Sequence, residues 1–481
     1  MTLNKDSTTL QKSSCVIFAT EENNASILSY SDACTSFTNT LQYEDIPQRS
    51  IAQIKIYLLD WLGCLIKGYT TRQADPAKKY IDELAGSPQA SMAGIPKKAS
   101  VIDAAFFNGY LGHILEMDDV DRESISHPAT VVIPAALAVG EWKNKSGKEL
   151  LTAITAGYEV MLRIGAAITP SHYEIWHTTG TAGAFGSAMA AGKLLNLKKP
   201  ELDWALGNAG TMAAGLWQFL KDGAMSKFLH AGRAASNGVF SAYMASNGFS
   251  GATRILEGSQ GFFAGFARQE INPQIFSDFS TNWRSGEVSI KPYPCCRHTH
   301  SSIDAANHIR ERLGVGEVER VDVNTYSAAW SIAGIEDPKS PQEAKFSLKF
   351  CIARTLLGGL LTEKDFTWQT LHDPATRTLM SKIHIRVDPE LDAMVPQNWP
   401  CHMSVSPITG EKLYSEINSP CGDPESPIDW QGIQRKFAMM TEGLLDTAAQ
   451  EEISDLCEKL EDIKLSNEII HLINQKMKLN F

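Results

Sequence analysis

Positive charge is the scarcer sign in this chain: 44 Lys and Arg stand against 55 Asp and Glu among 481 residues, a formal charge of −11. Nowhere do four basic residues run together. A surface for phosphate backbones gathers lysine and arginine into a patch or stripe, so no nucleic-acid partner is expected. Long apolar runs are also missing. The longest, Val131 to Val139, is broken by Pro134 and falls short of the ~20 residues that cross a bilayer, so no membrane partner is expected. Nine cysteines are present but no CxxC spacing, which removes zinc ribbons and thioredoxin-type pairs and leaves reduced thiols of a cytoplasmic protein as the expectation. No fixed-period repeat or low-complexity tract occurs. Residues 1–25 lack an apolar signal core and carry Asp6, Glu21 and Glu22; they read as a polar, poorly ordered tail.

What is present is the composition of an ordinary globular protein, 43% hydrophobic and 21% charged, with length for roughly two to three domains. From Pro47 to about Asn272 the texture is helical. Ile51 to Ile66 places apolar residues at steps of three and four with Gly68 as a stop, and the pattern recurs at Ala104–Met117, Lys148–Ile168, Gly183–Leu197 and Ala231–Ser246. After about Trp283 period-two alternation appears at Glu319–Tyr326, Lys382–Val387 and Met403–Ser406, with a hairpin around Thr409-Gly410. Helices are expected between these strands at Ser301–Leu313 and Ala344–Leu361. The fold class is therefore mainly α with a smaller α+β domain. A helical domain spans 26–285, an α+β lid domain 286–425, and helices in 426–481 return to the helical domain.

Four clusters are candidates to carry chemistry, and three of them have a bland counterpart. His113 to Pro128 contains Glu116, Asp118, Asp119, Asp121 and His127; carboxylates beside imidazole suit either a divalent cation or an oriented proton-transferring histidine, and equally a solvated loop. Around His177, Thr178 and Thr179 signal the N-cap of a Gly/Ala-rich helix, so His177 either faces an anion site or packs at a helix start. Gly180, Gly183 and Gly186 resemble a dinucleotide fingerprint only superficially, because no strand precedes them; they are read as helix-packing glycines. Lys227, His230 and Arg233 recur at three-residue steps and form either a carboxylate-receiving face or a solvated one. Lys291 to His300 includes Cys295, Cys296, Arg297 and His298. Adjacent cysteines suit a tetrahedral ion poorly, so this stretch is read as a second positive locus at the domain junction, with no metal.

Through these stretches the chain resembles the MmgE/PrpD family, which includes 2-methylcitrate dehydratase, cis-aconitate decarboxylase and iminodisuccinate epimerase. The matching strings are Ala104–His113, Glu116–Asp119, Ser126–Ala135, Trp176–Thr181, Lys227–Ala235, Lys291–Cys296, Glu343–Ser347 and Gly422–Pro427, in the family's order. The resemblance implies a homodimer and a site between the two domains that needs no metal or organic cofactor. It places site residues on Asp118, His127, His177, Lys227 and Lys291. His127 is the expected proton carrier with Asp118 orienting it, His177 a partner acid or substrate ligand, and Lys227, Lys291, His230 and Tyr326 are expected to bind substrate. Arg122 stands where several members have Thr, and the loop to His127 has the fungal-type decarboxylase length. The tyrosine of animal decarboxylases aligns near Trp330, with Tyr326 four residues away. The implied reaction is a lyase step on a small di- or tricarboxylate, by dehydration or decarboxylation. The other readings are an iminodisuccinate-type epimerase, a non-catalytic carboxylate-binding protein, and a metal-dependent hydratase using the acidic loop.

Overall fold

The computed structural model describes residues 29–313 and 318–478; the tail expected over 1–25 lies outside them. The core is a stack of helices dominated by Val101–His113, Ala129–Trp142, Gly147–Ile168, Thr178–Leu194 and Ser226–Ser246. Their facing surfaces are rich in Gly, Ala and Ser, which lets axes approach closely. A Cβ on Gly186 would stand 2.8 Å from the Gly157 carbonyl oxygen on the neighbouring helix. Gly147–Ile168 is long and apolar enough to cross a bilayer, yet it is buried among these helices. A large buried core is what makes such an apolar helix stable in water.

The helix through Gly68 runs Gln48–Tyr69 and ends one residue after the expected stop. Gly68 also lets two helices approach closely, since an added Cβ would sit 2.3 Å from the Leu111 carbonyl. A hairpin of β1 (Ala90–Met92) and β2 (Ile95–Ala99) was not anticipated.

The second hydrophobic core gathers residues from Tyr293 to Ile417. Its sheet contains β3 (Val318–Thr325), β4 (Ile383–Val387), β5 (Cys401–Pro407) and β6 (Leu413–Ile417) in the order β4-β3-β5-β6. The β3–β4 pair is parallel and the others antiparallel. Helix His300–Leu313 covers it, and a second helix, Leu348–Gly358, packs on the first. The second starts four residues later than the expected Ala344, because Ser347 takes the N-cap and accepts from the Phe350 N–H. Helix Trp430–Met440 packs against Gln48–Tyr69, and Ile433, Phe437, Ile453, Ile470 and Ile473 join the helical core. Among the described residues, the eight cysteines are free.

Three distant segments are knitted by backbone bonds. Val120 and Ser289 exchange both N–H···O bonds at 2.8 and 2.9 Å, and the Ile290 N–H donates to the Gly422 carbonyl at 2.8 Å. Gly422 has φ +91°, and a Cβ there would stand 2.0 Å from the Ile290 carbonyl. Only glycine fits, and the residue after Ile290 is Lys291. Gly422→Ala is accordingly expected to lower stability by about 2 kcal/mol through strain and overpacking, read as a lower denaturant midpoint; an unchanged midpoint would refute this close approach.

Candidate active site

Helix Val101–His113 ends at His113, and the chain turns through Glu116, which has φ +59°. A left-handed residue other than glycine is uncommon and often sits at a site. The turn sends Leu115 and Met117 to one side, against Cys64 and Met440. Glu116 and Asp118 go to the other. Ion pairs follow: Lys227 Nζ lies 2.5 Å from Glu116 Oε2 and Lys291 Nζ 3.8 Å from the same oxygen. Asp118 Oδ2 is 2.8 Å from His113 Nδ1 and 3.6 Å from His127 Nδ1. All six side chains are buried.

His127 directly precedes Pro128 at the start of helix Ala129–Trp142. Its Nδ1 donates to the Asp119 carbonyl at 2.7 Å and its backbone N–H to Thr179 Oγ1 at 3.1 Å. A carbonyl only accepts, so Nδ1 carries the proton and Nε2 presents a lone pair in the neutral ring. The expected orienting role of Asp118 therefore passes to the Asp119 carbonyl, and Asp118 is bonded to His113. Asp119's own carboxyl is spent on the Ala129 N–H and the Tyr158 hydroxyl, at 3.0 and 2.9 Å. Asp121 accepts from the Ser124 N–H at 2.7 Å. The acidic loop thus does not converge its carboxylates on an ion. Among the described residues, the group with metal-ligand proximity is His113, His127 and His177, with one ring nitrogen of each within 4.8 Å of the others. Lys227 and Lys291 stand in the same site and could receive an anionic ligand in exchange for Glu116.

The N-cap of helix Thr178–Leu194 is His177 itself, not a threonine, and its side chain makes no cap bond. The ring is free to face the site: Nδ1 lies 3.3 Å from His230 Nδ1, and Nε2 is buried without a partner. The three cations expected on one face separate, because steps of three rotate each by about 60° around a 3.6-residue helix. Lys227 is buried, His230 half-buried beside His177, and Arg233 exposed. His230 and Arg233 line an open pocket of about 740 Å³ with Trp176 and Phe219.

At the junction only Lys291 faces Glu116. Arg297, expected to add positive charge, is paired with Asp423 and donates to the Cys421 carbonyl and toward His300 Nδ1 at 3.0 and 2.9 Å. Arg122 ties the acidic loop to the same turn through Glu425 at 2.8 Å. Tyr326 is buried and bonded to His298 Nδ1 at 2.8 Å, in a cluster with Trp399. No contact joins it directly to the three histidines, so its expected binding role has no direct support. Trp330 is turned out toward solvent. Sequence reasoning passed over His113 and Glu116 as site members, though both lie in the matched strings; the signal was there without the direction of the turn.

Burial is the main perturbation. It holds His127 and His177 well below the usual histidine value, aided at both by Lys227. Burial raises Asp118, but His113, bonded to it, overcomes this and brings it down to about 2. Glu116 is likewise raised by burial and pulled down further by Lys227. The resting site therefore contains ionised carboxylates, ammonium ions, and His127 and His177 as neutral imidazoles. Glu116 Oε1, Asp118 Oδ1, and Nε2 of His113 and His177 are buried without protein partners. Such groups call for a polar ligand or water.

Models of known families match on both sides of the site: the MmgE/PrpD N-terminal domain over residues 32–274 and the C-terminal domain over 293–462. A cis-aconitate decarboxylase-like protein of Aspergillus oryzae is 25% identical over 474 residues, 92% of this chain and 96% of that protein. Cis-aconitate decarboxylase of Aspergillus terreus is 26% identical over 475 residues, 92% and 95% of the two chains. The human cis-aconitate decarboxylase is 26% identical over 447 residues, 88% and 90%.

The neutral histidines have a thermodynamic consequence. Below pH 6.5 the unfolded chain takes up protons that His127 and His177 refuse when folded, so the contribution of these two residues to stability falls as pH drops from 7 to 5. In His177→Gln the slope over that window should flatten by up to one proton, about 1.4 kcal/mol per pH unit, in denaturant titrations of the ligand-free protein. An unchanged slope would show that His177 is charged in the fold.

Proposed function

The chain belongs to the MmgE/PrpD family, and on that premise we propose that it is a lyase that decarboxylates a small unsaturated tricarboxylate of the cis-aconitate type. One observation carries the reading: two buried ammonium ions, Lys227 and Lys291, stand beside three imidazoles whose ring nitrogens lie within 4.8 Å of one another. The resemblance of the whole chain to cis-aconitate decarboxylases supports this reaction over the others the scaffold can host.

Lys227 and Lys291 receive substrate carboxylates, Lys227 giving up part of its pairing with Glu116. An anion arriving beside neutral imidazoles raises their basicity, so His127 takes up a proton at Nε2 while the Asp119 carbonyl holds Nδ1–H. The carbon–carbon bond to the departing carboxylate breaks and its electron pair moves through the double bond. The carbon at the far end takes the proton from His127, leaving CO₂ and a dicarboxylate. Charge gathers beside a carboxylate already held by an ammonium ion, where such stabilisation acts best. His127 is then again the neutral imidazole of the resting site, and the proton it gave up is the one taken from water when the substrate bound. Asp118, 3.6 Å away, stabilises the imidazolium, and His177 with His113 completes the wall.

The test is an NMR assay in heavy water with cis-aconitate, 2-methylcitrate, citrate and iminodisuccinate. The expected result is CO₂ release from cis-aconitate with one deuteron in the product, and a loss of about 10²-fold or more in His127→Ala. Water loss from 2-methylcitrate, deuterium wash-in without net reaction, or binding without turnover would each replace decarboxylation by dehydration, epimerisation or carboxylate binding respectively.

A further inference from the structure

The Leu115–Asp118 turn contains one residue of left-handed backbone, Glu116, and yet carries the carboxylates that face Lys227, Lys291 and His113. What holds it comes from outside. Lys345 Nζ, from the α+β domain, donates to the Leu115 carbonyl at 2.8 Å. Lys436 Nζ, from helix Trp430–Met440, donates to the Met117 carbonyl at 2.7 Å and pairs with Asp60. Both lysines are buried. The two carbonyls bracket Glu116, and the side chains of the same two residues are locked against Cys64 and Met440. Lys345 in turn is fixed by its own carbonyl, which accepts from the Cys296 N–H at 2.9 Å, five residues after Lys291.

We propose that Lys345 and Lys436 are positioning residues, two ammonium ions from separate parts of the chain that clamp the backbone on either side of Glu116 and so aim Glu116 and Asp118 into the site. A buried carbonyl needs a donor, and a charged donor holds it more firmly than a neutral one. The clamp also makes the site depend on the α+β domain being seated, since the Leu115 carbonyl finds its partner only across the domain junction. The kinetic part rests on the lyase reading above; the exchange part does not.

The experiment compares Lys345→Met, which removes the donor, with Lys345→Gln, which removes the charge but keeps an N–H for the Leu115 carbonyl. In Lys345→Met, kcat should fall by about 10²-fold from misplacement of the site, with KM within about threefold. Lys345→Gln should recover most of the loss. Unchanged kinetics in Lys345→Met, or a raised KM with unchanged kcat in either variant, would overturn the proposal, the latter by making Lys345 a substrate ligand. Should Lys345→Met fail to fold, Lys345→Gln alone decides: activity close to wild type supports the clamp, and loss as deep as about 10²-fold overturns it. Hydrogen–deuterium exchange without substrate gives the independent arm. Peptides spanning residues 113–121 should exchange faster in Lys436→Met and in whichever Lys345 variant folds, with helix Thr178–Leu194 unchanged. Equal exchange across the turn would refute the clamp even if the substrate proves different.

Discussion

The pairing of Glu116 with Lys227 and Lys291 inside the protein is the interaction on which the rest of the site depends. Removing such charges from water costs several kcal/mol per ion, repaid only when geometry and further hydrogen bonds are good. The surroundings meet that demand on every side. Asp118 is bonded to His113, Lys345 and Lys436 are bonded to the turn's carbonyls, and Asp60 balances Lys436. Buried ion pairs are often no more stabilising than hydrophobic residues of similar volume, so this network points to a ligand more than to the fold.

The same burial sets the acid–base behaviour. His127 and His177 are kept neutral because they lie out of water beside ammonium ions, and an anion added to that environment would raise their basicity. An overall charge of −11 is compatible with such a site because the acidic excess need not reach the cleft. Arg297, Arg122 and Arg284 are engaged by Asp423, Glu425 and Glu123. Lys227 and Lys291 share one carboxylate between them.

Much of the fold was legible. Apolar spacing at three and four located the core helices, and alternation located β3, β4 and β5. Gly68 stands one residue before its helix ends and also avoids a clash with Leu111; only the first role shows in one dimension. The site was legible as a set of strings but not as a set of contacts. Asp118, His127, His177, Lys227 and Lys291 are brought together; Arg233 is not, and Tyr326 bonds to His298 instead. Asp118 meets His113, because the left-handed turn at Glu116 reverses the chain and only the folded path decides which imidazole each carboxylate reaches.

By itself the sequence determined the helical core, the smaller mixed sheet and the inventory of histidines, lysines and carboxylates, since periodicity and residue type are local properties. The tertiary structure alone decided the pairings: which nitrogen of His127 is held, which carboxylate neutralises Lys227, and which lysines reach across from residues 345 and 436 to grip the turn. Those outcomes depend on buried charges and carbonyls finding partners hundreds of residues away, and desolvation enforces that choice only when the chain closes around them.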